Sequence, residues 1–272
     1  MEKLGERESE QGRGTIPSPP ALAVQFFLIP LVVVGAVVML YGGFRWLLED
    51  ERTPQEYLSD IRIGGRERRW PAAFELSRLM ADPDVQASEP TLGPALVRAF
   101  VESDGDDPRV RRYLALAVGR LTTPPADAVP RLVEALDDPE SETRISVIWA
   151  LGSLGDAGVV PALLPMYRSD DAGVRKMTVY ALGALPGEDQ IDTLRTALND
   201  PAPDVQWNAA VALARHGSAQ GASVLGWMLD REYVERMVEP AAGVGLDEID
   251  RVGEVMGSGL QAVGALGVES LR

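Results

Sequence analysis

Apolar residues recur at spacings of three and four along most of the chain, and this pattern is itself repeated. Four segments align position for position: residues 110–119, 143–152, 174–183 and 205–214. Their closing positions are separated by 33, 31 and 31 residues. Because apolar residues three and four apart lie on one side of a helix, each segment is predicted to be a helix that buries one face.

A shorter amphipathic stretch precedes each of these segments, and a turn separates the two. The stretches are residues 96–100, 129–136, 160–164 and 191–198, and the turns are Asp107-Pro108, Asp138-Pro139, Asp170-Asp171 and Asp200-Pro201. Asp accepts hydrogen bonds from free N–H groups where a helix begins, and Pro fits the first helical turn. Each unit is therefore predicted to be a helix, a turn capped by Asp, and a second helix. The closing glycine is predicted to end the pattern and to let the next unit pack closely.

Two weaker copies flank the four clear ones, at residues 69–79 and 255–266. The last copy lies about 19 residues further along than the 31-residue period requires, and residues 231–250 hold this insertion. Stacked units with atypical first and last copies are typical of solenoids. The sequence thus predicts an all-α fold, an α-solenoid of about six helix pairs over residues 49–272.

The N-terminal part has a different pattern, since residues 21–44 are apolar apart from Gln25. A helix needs about 20 such residues to cross a bilayer, and aromatic side chains are common where it leaves the membrane. We expect residues 21–48 to form a transmembrane helix after a disordered tail, residues 1–20. The residues expected to anchor it are Phe26, Phe27, Pro30, Tyr41 and Trp46.

The flanking charges bear on the orientation of this predicted span. More Arg residues follow the span than Lys and Arg precede it, and the richer side tends to stay cytoplasmic. We expect a single-pass protein of a bacterial inner membrane with the repeats on the cytoplasmic rather than the periplasmic side. The opposite topology, that of an ordinary signal anchor, stays open. A cleaved signal peptide is disfavoured because the apolar run exceeds 7–15 residues and no A-x-A site follows.

The repeat pattern D-P-x-x-x-V-R-x-x-A-x-x-A-L-G resembles HEAT repeats, in the short form called PBS-lyase HEAT-like repeats. The resemblance covers roughly residues 54–267, with departures at Thr143, at Gln206 and in the insertion. It implies a helical-repeat fold of the kind that scaffolds and adaptors commonly use. It also reaches a class of lyases that attach bilins to phycobiliproteins.

Composition narrows the chemistry that this chain can perform. The chain has no Cys and a single His, His216, which removes thiolate sites and His-rich metal clusters. Its net charge is −15, which argues against nucleic acid as the main partner because phosphate binding needs a basic face. We expect no cofactor, no metal, no catalytic residues and no enzymatic activity.

The expected function is protein binding, because second helices of a solenoid line an extended groove. We expect Arg111, Arg144 and Arg175 to pair with the carboxylates of the turns. Residues less tied to the repeat pattern, or in its insertion, are the candidates for partner contact: Arg112, Lys176, Gln206, Trp207, Tyr233 and Arg236.

Three hypotheses about function remain at this point. The first is a membrane-anchored scaffold or adaptor that binds membrane-associated proteins and helps to assemble or stabilise their complex. The second is a structural accessory subunit of a larger membrane complex. The third is an enzyme of the bilin-lyase type, which is disfavoured because it would need a chromophore pocket and usually soluble delivery.

Overall fold

The structure, a computed structural model, describes residues 29–48, 52–238 and 246–267, and every regular element in these ranges is helical. The chain divides into two compact units, residues 1–52 and residues 53–272. The described part of the first unit is essentially one helix, α1 (Ile29–Leu48).

Helix α1 differs from the predicted transmembrane segment. Its uninterrupted apolar part, residues 29–44, is about 24 Å long at the rise of an α-helix, whereas a bilayer core is about 30 Å thick. Among the described residues, no helix has both the length and the apolarity that a membrane span requires. This finding contradicts the predicted transmembrane anchor and the predicted single-pass membrane localisation, which are corrected here.

The residues predicted to anchor the span are placed as follows. Phe26 and Phe27, like the rest of residues 1–28, lie outside the described residues. Pro30 and Tyr41 lie on α1 and are exposed. Trp46 lies near the end of α1, and its side chain is outside the described part.

The second unit is built from helix pairs, as predicted. In chain order its helices are α2 (Pro54–Ile63), α3 (Arg66–Leu79), α4 (Pro83–Ser88), α5 (Leu92–Glu102), α6 (Pro108–Gly119), α7 (Ala128–Glu134), α8 (Ser141–Leu154), α9 (Val160–Leu163), α10 (Ala172–Ala184), α11 (Ile191–Ala197), α12 (Pro203–Arg215), α13 (Ala222–Met228), α14 (Arg231–Met237) and α15 (Leu246–Leu266). Short 3-10 turns extend several first helices, at Ala135–Asp137, Ala157–Val159, Leu164–Arg168 and Ala219–Gly221.

The second helices stack in sequence, α3 on α6, α6 on α8, α8 on α10, α10 on α12 and α12 on α15. The first helices α2, α5, α7, α9, α11 and α13 form the other layer, and α4 and α14 are additional. Buried side chains form one continuous apolar cluster from α2 to α12 and a smaller one where α12 meets α13, α14 and α15. The predicted all-helical, solenoid-like fold is confirmed, and α14 begins the predicted insertion.

Glycine sets the distance between successive second helices. A Cβ added to Gly119 would lie 2.6 Å from the Cα of Ala150, and one added to Gly183 would lie 2.3 Å from the Cβ of Ala212. Gly152 faces Ala181 in the same way, at 2.8 Å. Real Cβ atoms do not approach other atoms so closely, so only glycine allows this packing.

Of the closing glycines, Gly119 is the last residue of its helix as predicted, but Gly152 and Gly183 are not, which corrects part of the prediction. Helix α8 continues past Gly152 to Leu154 and is followed by Gly155, whose φ of +75° is the left-handed conformation that glycine adopts easily. The close packing of the next unit is therefore the role of Gly152, and termination is the role of Gly155.

The Asp residues of the turns also differ in role. Asp107 caps α6 as predicted, because its side chain accepts from the N–H of Arg109 at 3.0 Å and Pro108 is the first helical residue. Asp138 and Asp200 instead lie before their helices, which begin at Ser141 and Pro203. Each accepts a backbone N–H two residues on, at 3.0 Å and 2.9 Å, and keeps its second oxygen for a neighbouring unit.

That second oxygen binds an arginine of the preceding unit, and we call these pairs the Arg–Asp ladder. Its members are Arg69 with Asp106, Arg111 with Asp138 at 2.7 Å, and Arg175 with Asp200 at 2.9 Å. Arg144 occupies the same repeat position but donates to the carbonyl of Asp138 at 2.7 Å. Gln206 does likewise with the carbonyl of Asp200 at 2.6 Å.

Asp200 is the most buried acid of the ladder, with 4% of its surface exposed. Burial by itself raises the pKa of Asp200, but hydrogen bonds from Arg175 and from the Ala202 backbone outweigh it, so the pKa lies below its usual value. Tyr167 donates its hydroxyl to the same carboxylate at 3.2 Å. Burial and this negative charge raise the pKa of Tyr167 to about 12.

The glycine contact gives a first prediction. Gly183→Ala places a Cβ against Ala212 and should lower the free energy of unfolding by about 1–3 kcal/mol through overpacking. Gly226→Ala is the matched control, because Gly226 is an exposed helix residue with open space around it. It should leave stability unchanged or raise it by up to about 1 kcal/mol. Urea unfolding measures both, and equal stability of Gly183→Ala and the wild type would contradict the packing role.

The ladder gives a second prediction. Asp200→Asn leaves the partly buried Arg175 without its counter-ion and should lower stability at pH 7 by about 3 kcal/mol. Asp192→Asn, which removes an exposed pair with Arg195, should change it by less than about 1 kcal/mol.

The pH dependence of the Asp200 effect has a definite sign. Because the pKa of Asp200 is lowered in the folded protein, its stabilisation is present above the unfolded pKa, near 4, and is lost as the pH falls towards the folded value. The gap between the wild type and Asp200→Asn should therefore narrow when urea unfolding is measured at decreasing pH below about 4. A gap that stays constant would show that the ion pair is not its source.

Candidate protein-binding surface

The second helices share one solvent-facing side. In each of α3, α6, α8, α10 and α12, the residues seven and three before and one after the glycine position lie about one turn apart on the same face. Ser77 and Ala214 hold the glycine position in α3 and α12. We call the fifteen residues at these positions the second-helix surface, and fourteen of them are at least partly exposed.

The composition of the second-helix surface is unlike that of the chain. None of its fifteen residues is Asp or Glu. Five are cationic, namely Arg78, Arg112, Arg120, Lys176 and Arg215, and five are aromatic, namely Trp70, Phe74, Trp149, Tyr180 and Trp207. Aromatic residues and Arg are the types that contribute most to protein interfaces.

Charge is segregated between the second helices and the rest of this unit. The helices α3, α6, α8, α10 and α12 together hold eleven Lys and Arg against four Asp and Glu. The rest of residues 53–272 holds ten Lys and Arg against thirty Asp and Glu. The net negative charge of the chain, −15, therefore comes mainly from residues outside these five helices. The five helices themselves carry a net positive charge.

Guanidinium groups lie over aromatic rings along this layer. Arg120 lies 5.2 Å from the ring centre of Trp149, and Arg215 lies 5.9 Å from that of Tyr180. Further such pairs are Arg109 on Trp70, Arg78 on Phe74 and Arg112 on Tyr113. These contacts are favourable by about 0.5–1 kcal/mol each when exposed, and they restrict the side chains to the surface.

The five cations of the surface differ in whether an acid already neutralises them. Lys176 binds Asp204 at 2.7 Å, Arg112 approaches Glu142 at 3.5 Å, and Arg78 pairs with the adjacent Glu75 at 3.1 Å. Arg120 and Arg215 form no ion pair with any residue that the structure describes. Burial lowers the pKa of Arg120, which remains charged at neutral pH.

The predicted contact residues on the second helices are only partly available. Arg112 and Lys176 lie on the second-helix surface in the ion pairs just described. Gln206 is half-buried, and its side-chain amide donates a hydrogen bond to the backbone carbonyl of Asp200. Trp207 is buried, with 4% exposed, and its indole N–H has no partner among the described residues.

A cleft lies where α10, α12 and α15 meet. Its volume is about 190 Å³, and its walls include Tyr180, Trp207, Asn208 and Val211. Asp204 stands at one side and is bound by both Lys176 and Arg251, at 2.7 and 2.9 Å. The cleft thus has largely apolar walls, and the charge of Asp204 at its side is neutralised by the two cations.

The insertion forms a second exposed aromatic site. Tyr233 on α14 is half-buried and lies 5.8 Å from the ring of Trp227, which is 47% exposed. Arg236 is exposed and has no ion pair among the described residues. These residues belong to α13 and α14 and lie outside the second-helix surface.

Arg120, Tyr180 and Arg215 are functional candidates that the sequence analysis did not single out. Arg120 and Arg215 each directly follow the closing position of the repeat. An alignment extended by one residue beyond the glycine would have shown them. No group of three or more His, Cys, Asp or Glu side chains suited to a metal occurs within the described ranges.

Comparison with known proteins is consistent with this architecture. Residues 94–183 and 161–242 match the family described as HEAT repeats. The structure of the complex of CpcE and CpcF of phycocyanin lyase from Nostoc sp. PCC7120 is similar, with a TM-score of 0.55 and 19% identity, and the match covers 78% of this chain and 96% of that one. At this level of identity, the similarity concerns the fold.

Two curated proteins are related over shorter stretches. An uncharacterized phycocyanin operon protein Z from Pseudanabaena tenuis is 28% identical over 101 residues, which is 34% of this chain and 50% of that protein. Deoxyhypusine hydroxylase from Neurospora crassa is 33% identical over 118 residues, 42% of this chain and 35% of that protein. The match spans half or less of each relative. Since the two segments that match the family together span more than half of the chain, this protein belongs to the HEAT-repeat family.

Proposed function

We propose that this protein is a non-enzymatic scaffold that binds a segment of another protein along its second-helix surface and so helps to assemble a complex. The observation that carries the proposal is the composition of that surface, which has four at least partly exposed aromatic residues, five cationic residues and no acidic one. In a chain with a net charge of −15, such a surface is costly to expose unless a partner covers it.

The way the surface is held supports binding. The glycine contacts fix α6, α8, α10 and α12 against one another, and the Arg–Asp ladder ties the units of α3, α6 and α10 each to the next. A preorganised surface loses little conformational entropy when a partner binds. Stacked repeats present contacts at regular intervals over a long distance, which suits an elongated partner.

The non-enzymatic part of the proposal rests on composition, since the chain has no Cys and one His. His216 follows the end of α12 and lies 3.4 Å from the amide nitrogen of the buried Gln190. The bilin-lyase alternative draws support from the fold shared with a phycocyanin lyase complex. The cleft of about 190 Å³ is smaller than the 300–1,000 Å³ of usual small-molecule sites. A recess of about 670 Å³ beside His216 is lined mainly by polar atoms, whereas such sites are mostly apolar. Both observations favour the scaffold.

The accessory-subunit alternative would place the contact elsewhere. The exposed pair of Trp227 and Tyr233, beside Arg236, is the surface that such a role would use. The two readings therefore predict contact at different aromatic side chains of similar exposure, Tyr180 at 38% and Trp227 at 47%.

Site-specific photocrosslinking tests the proposal. The full chain is produced in its own cells with p-benzoylphenylalanine in place of Tyr180 or, as the matched control, Trp227. We expect a recurrent protein adduct from position 180, identified by mass spectrometry, and none of comparable yield from position 227. Adducts from position 227 alone would move the function to the insertion. No adduct from position 180 would contradict the proposed surface.

A further inference from the structure

Arg120 indicates the chemistry of the partner. It is the one partly buried cation of the surface that has no counter-ion among the described residues. One face of its guanidinium covers Trp149, and Nη1 donates to the carbonyl of Ser77 at 2.9 Å. The side chain is half-buried and has no carboxylate partner in the described part of the chain. A partly dehydrated charge without a counter-ion is unfavourable. Most of the five N–H groups of this guanidinium remain free for an acceptor.

Arg215 repeats this arrangement at the other end of the surface. It occupies the same repeat position, is exposed, lies over Tyr180, and has no ion pair within the described ranges. Three helix-to-helix steps separate its helix, α12, from α6, at the end of which Arg120 lies. Two units lie between them. The unit of α8 places Ile145, Trp149 and Ser153 on the surface and no charge. The unit of α10 adds one cation, Lys176, which Asp204 neutralises. Between the two arginines without a described counter-ion, the surface therefore holds an uncharged unit and an ion-paired lysine.

We infer, on the basis of the proposed function, that the second-helix surface binds an extended acidic segment of a partner protein, with carboxylates on Arg120 and Arg215 and apolar side chains on Trp149. A carboxylate binds a guanidinium through two parallel hydrogen bonds, which an Arg already fixed on a ring can form without rearrangement. The apolar residues of the segment cover Ile145 and Trp149 on the uncharged unit of α8.

The spacing of the carboxylates follows from the repeat. Packed helices lie about 8–10 Å apart, and an extended chain advances about 3.3 Å per residue. Each unit therefore spans about three residues of the segment. Because Arg120 and Arg215 lie three units apart, their two carboxylates are about nine residues apart in the partner.

An acidic protein segment fits this surface better than a nucleic acid. Outside α3, α6, α8, α10 and α12, residues 53–272 hold thirty Asp and Glu against ten Lys and Arg, Arg120 included. This excess of negative charge repels a strand that carries a phosphate on every nucleotide. A peptide can place its few carboxylates at the two arginines and apolar residues between them. The negative charge of the rest of this unit thus favours a ligand with few negative charges over one with a charge on every residue.

The first test uses a random-peptide display library selected on the immobilised full chain. We expect the selected peptides to be enriched in Asp and Glu about nine residues apart with Leu, Ile or aromatic residues between them. Enrichment in basic peptides, or in apolar peptides without acids, would overturn the inference. It would leave the proposed function intact if those peptides still block crosslinking from position 180. Failure of every selected peptide to block it would count against the function itself.

The second test measures binding of a fluorescent peptide with two Asp residues nine apart and Leu and Phe between them. Arg120→Gln and Arg215→Gln should each weaken its binding about tenfold, as expected when a charge-assisted hydrogen-bonded pair is lost. Arg98→Gln is the matched control, because Arg98 is an exposed residue of the first-helix layer with no ion pair among the described residues. It should change affinity less than twofold.

Folding defects are separated from loss of binding by the choice of variants. Arg120 bonds a backbone carbonyl, so the melting temperature of Arg120→Gln is measured beside its affinity. Arg215 forms no hydrogen bond with another described residue, and its substitution tests the inference without that complication. Equal binding of the Asp peptide and its Asn analogue, or an unchanged affinity in Arg215→Gln, would overturn the acidic partner. Tighter binding of a 20-mer of deoxythymidine than of the Asp peptide, lost in both variants, would replace it with a nucleic acid.

Discussion

The close approach of each second helix to the next, made possible by glycine facing alanine, is the constraint on which the repeat array depends. At Gly119, Gly152 and Gly183 no side-chain atom fits between the helices. This contact fixes the rotation of each helix relative to its neighbour as well as their distance. A side chain at a given offset from the closing position therefore lies on the same side of the array in every unit, which aligns one surface over five helices.

That fixed rotation divides the arginines of the second helices into two groups with different roles. Those eight residues before the closing position, such as Arg111 and Arg175, reach the turn of the next unit and hold its Asp. Of those one residue after it, Arg78 pairs with Glu75 of its own helix, whereas Arg120 and Arg215 lie over an aromatic ring of an adjacent second helix and pair with no acid that the structure describes. Chemically identical side chains thus serve the fold or remain available to a partner according to their position in the repeat and the acids within reach.

The sequence predicts the structural features that depend on local periodicity. It does not predict the contacts that form between residues far apart in the chain. Helix pairs, their order and the atypical last unit follow from spacing alone. The partners of the ladder do not, because Arg175 donates to backbone carbonyls of its own turn but takes its carboxylate, Asp200, from the next unit. Asp138 likewise serves this pairing instead of capping α8. Trp207 and Trp149 look alike in the pattern, yet one is buried against α15 and the other lies under a guanidinium. In the N-terminal part, hydropathy counted residues 21–44 as one membrane-spanning helix, whereas no described helix is long and apolar enough to cross a membrane.

Net charge misleads about partners when it is averaged over the chain. The value of −15 argues against any anionic ligand, but at physiological salt the field of a charge decays over about 8 Å, a length comparable to the separation of neighbouring helices. An anion on the second-helix surface therefore interacts mainly with Arg120, Arg215 and the rings beneath them, and little with the acids of the first-helix layer. Those acids act on whatever extends beyond the surface. The combination admits a ligand whose carboxylates fall at the two arginines and repels one with negative charge along its whole length, so these acids contribute to selectivity as well as to solubility.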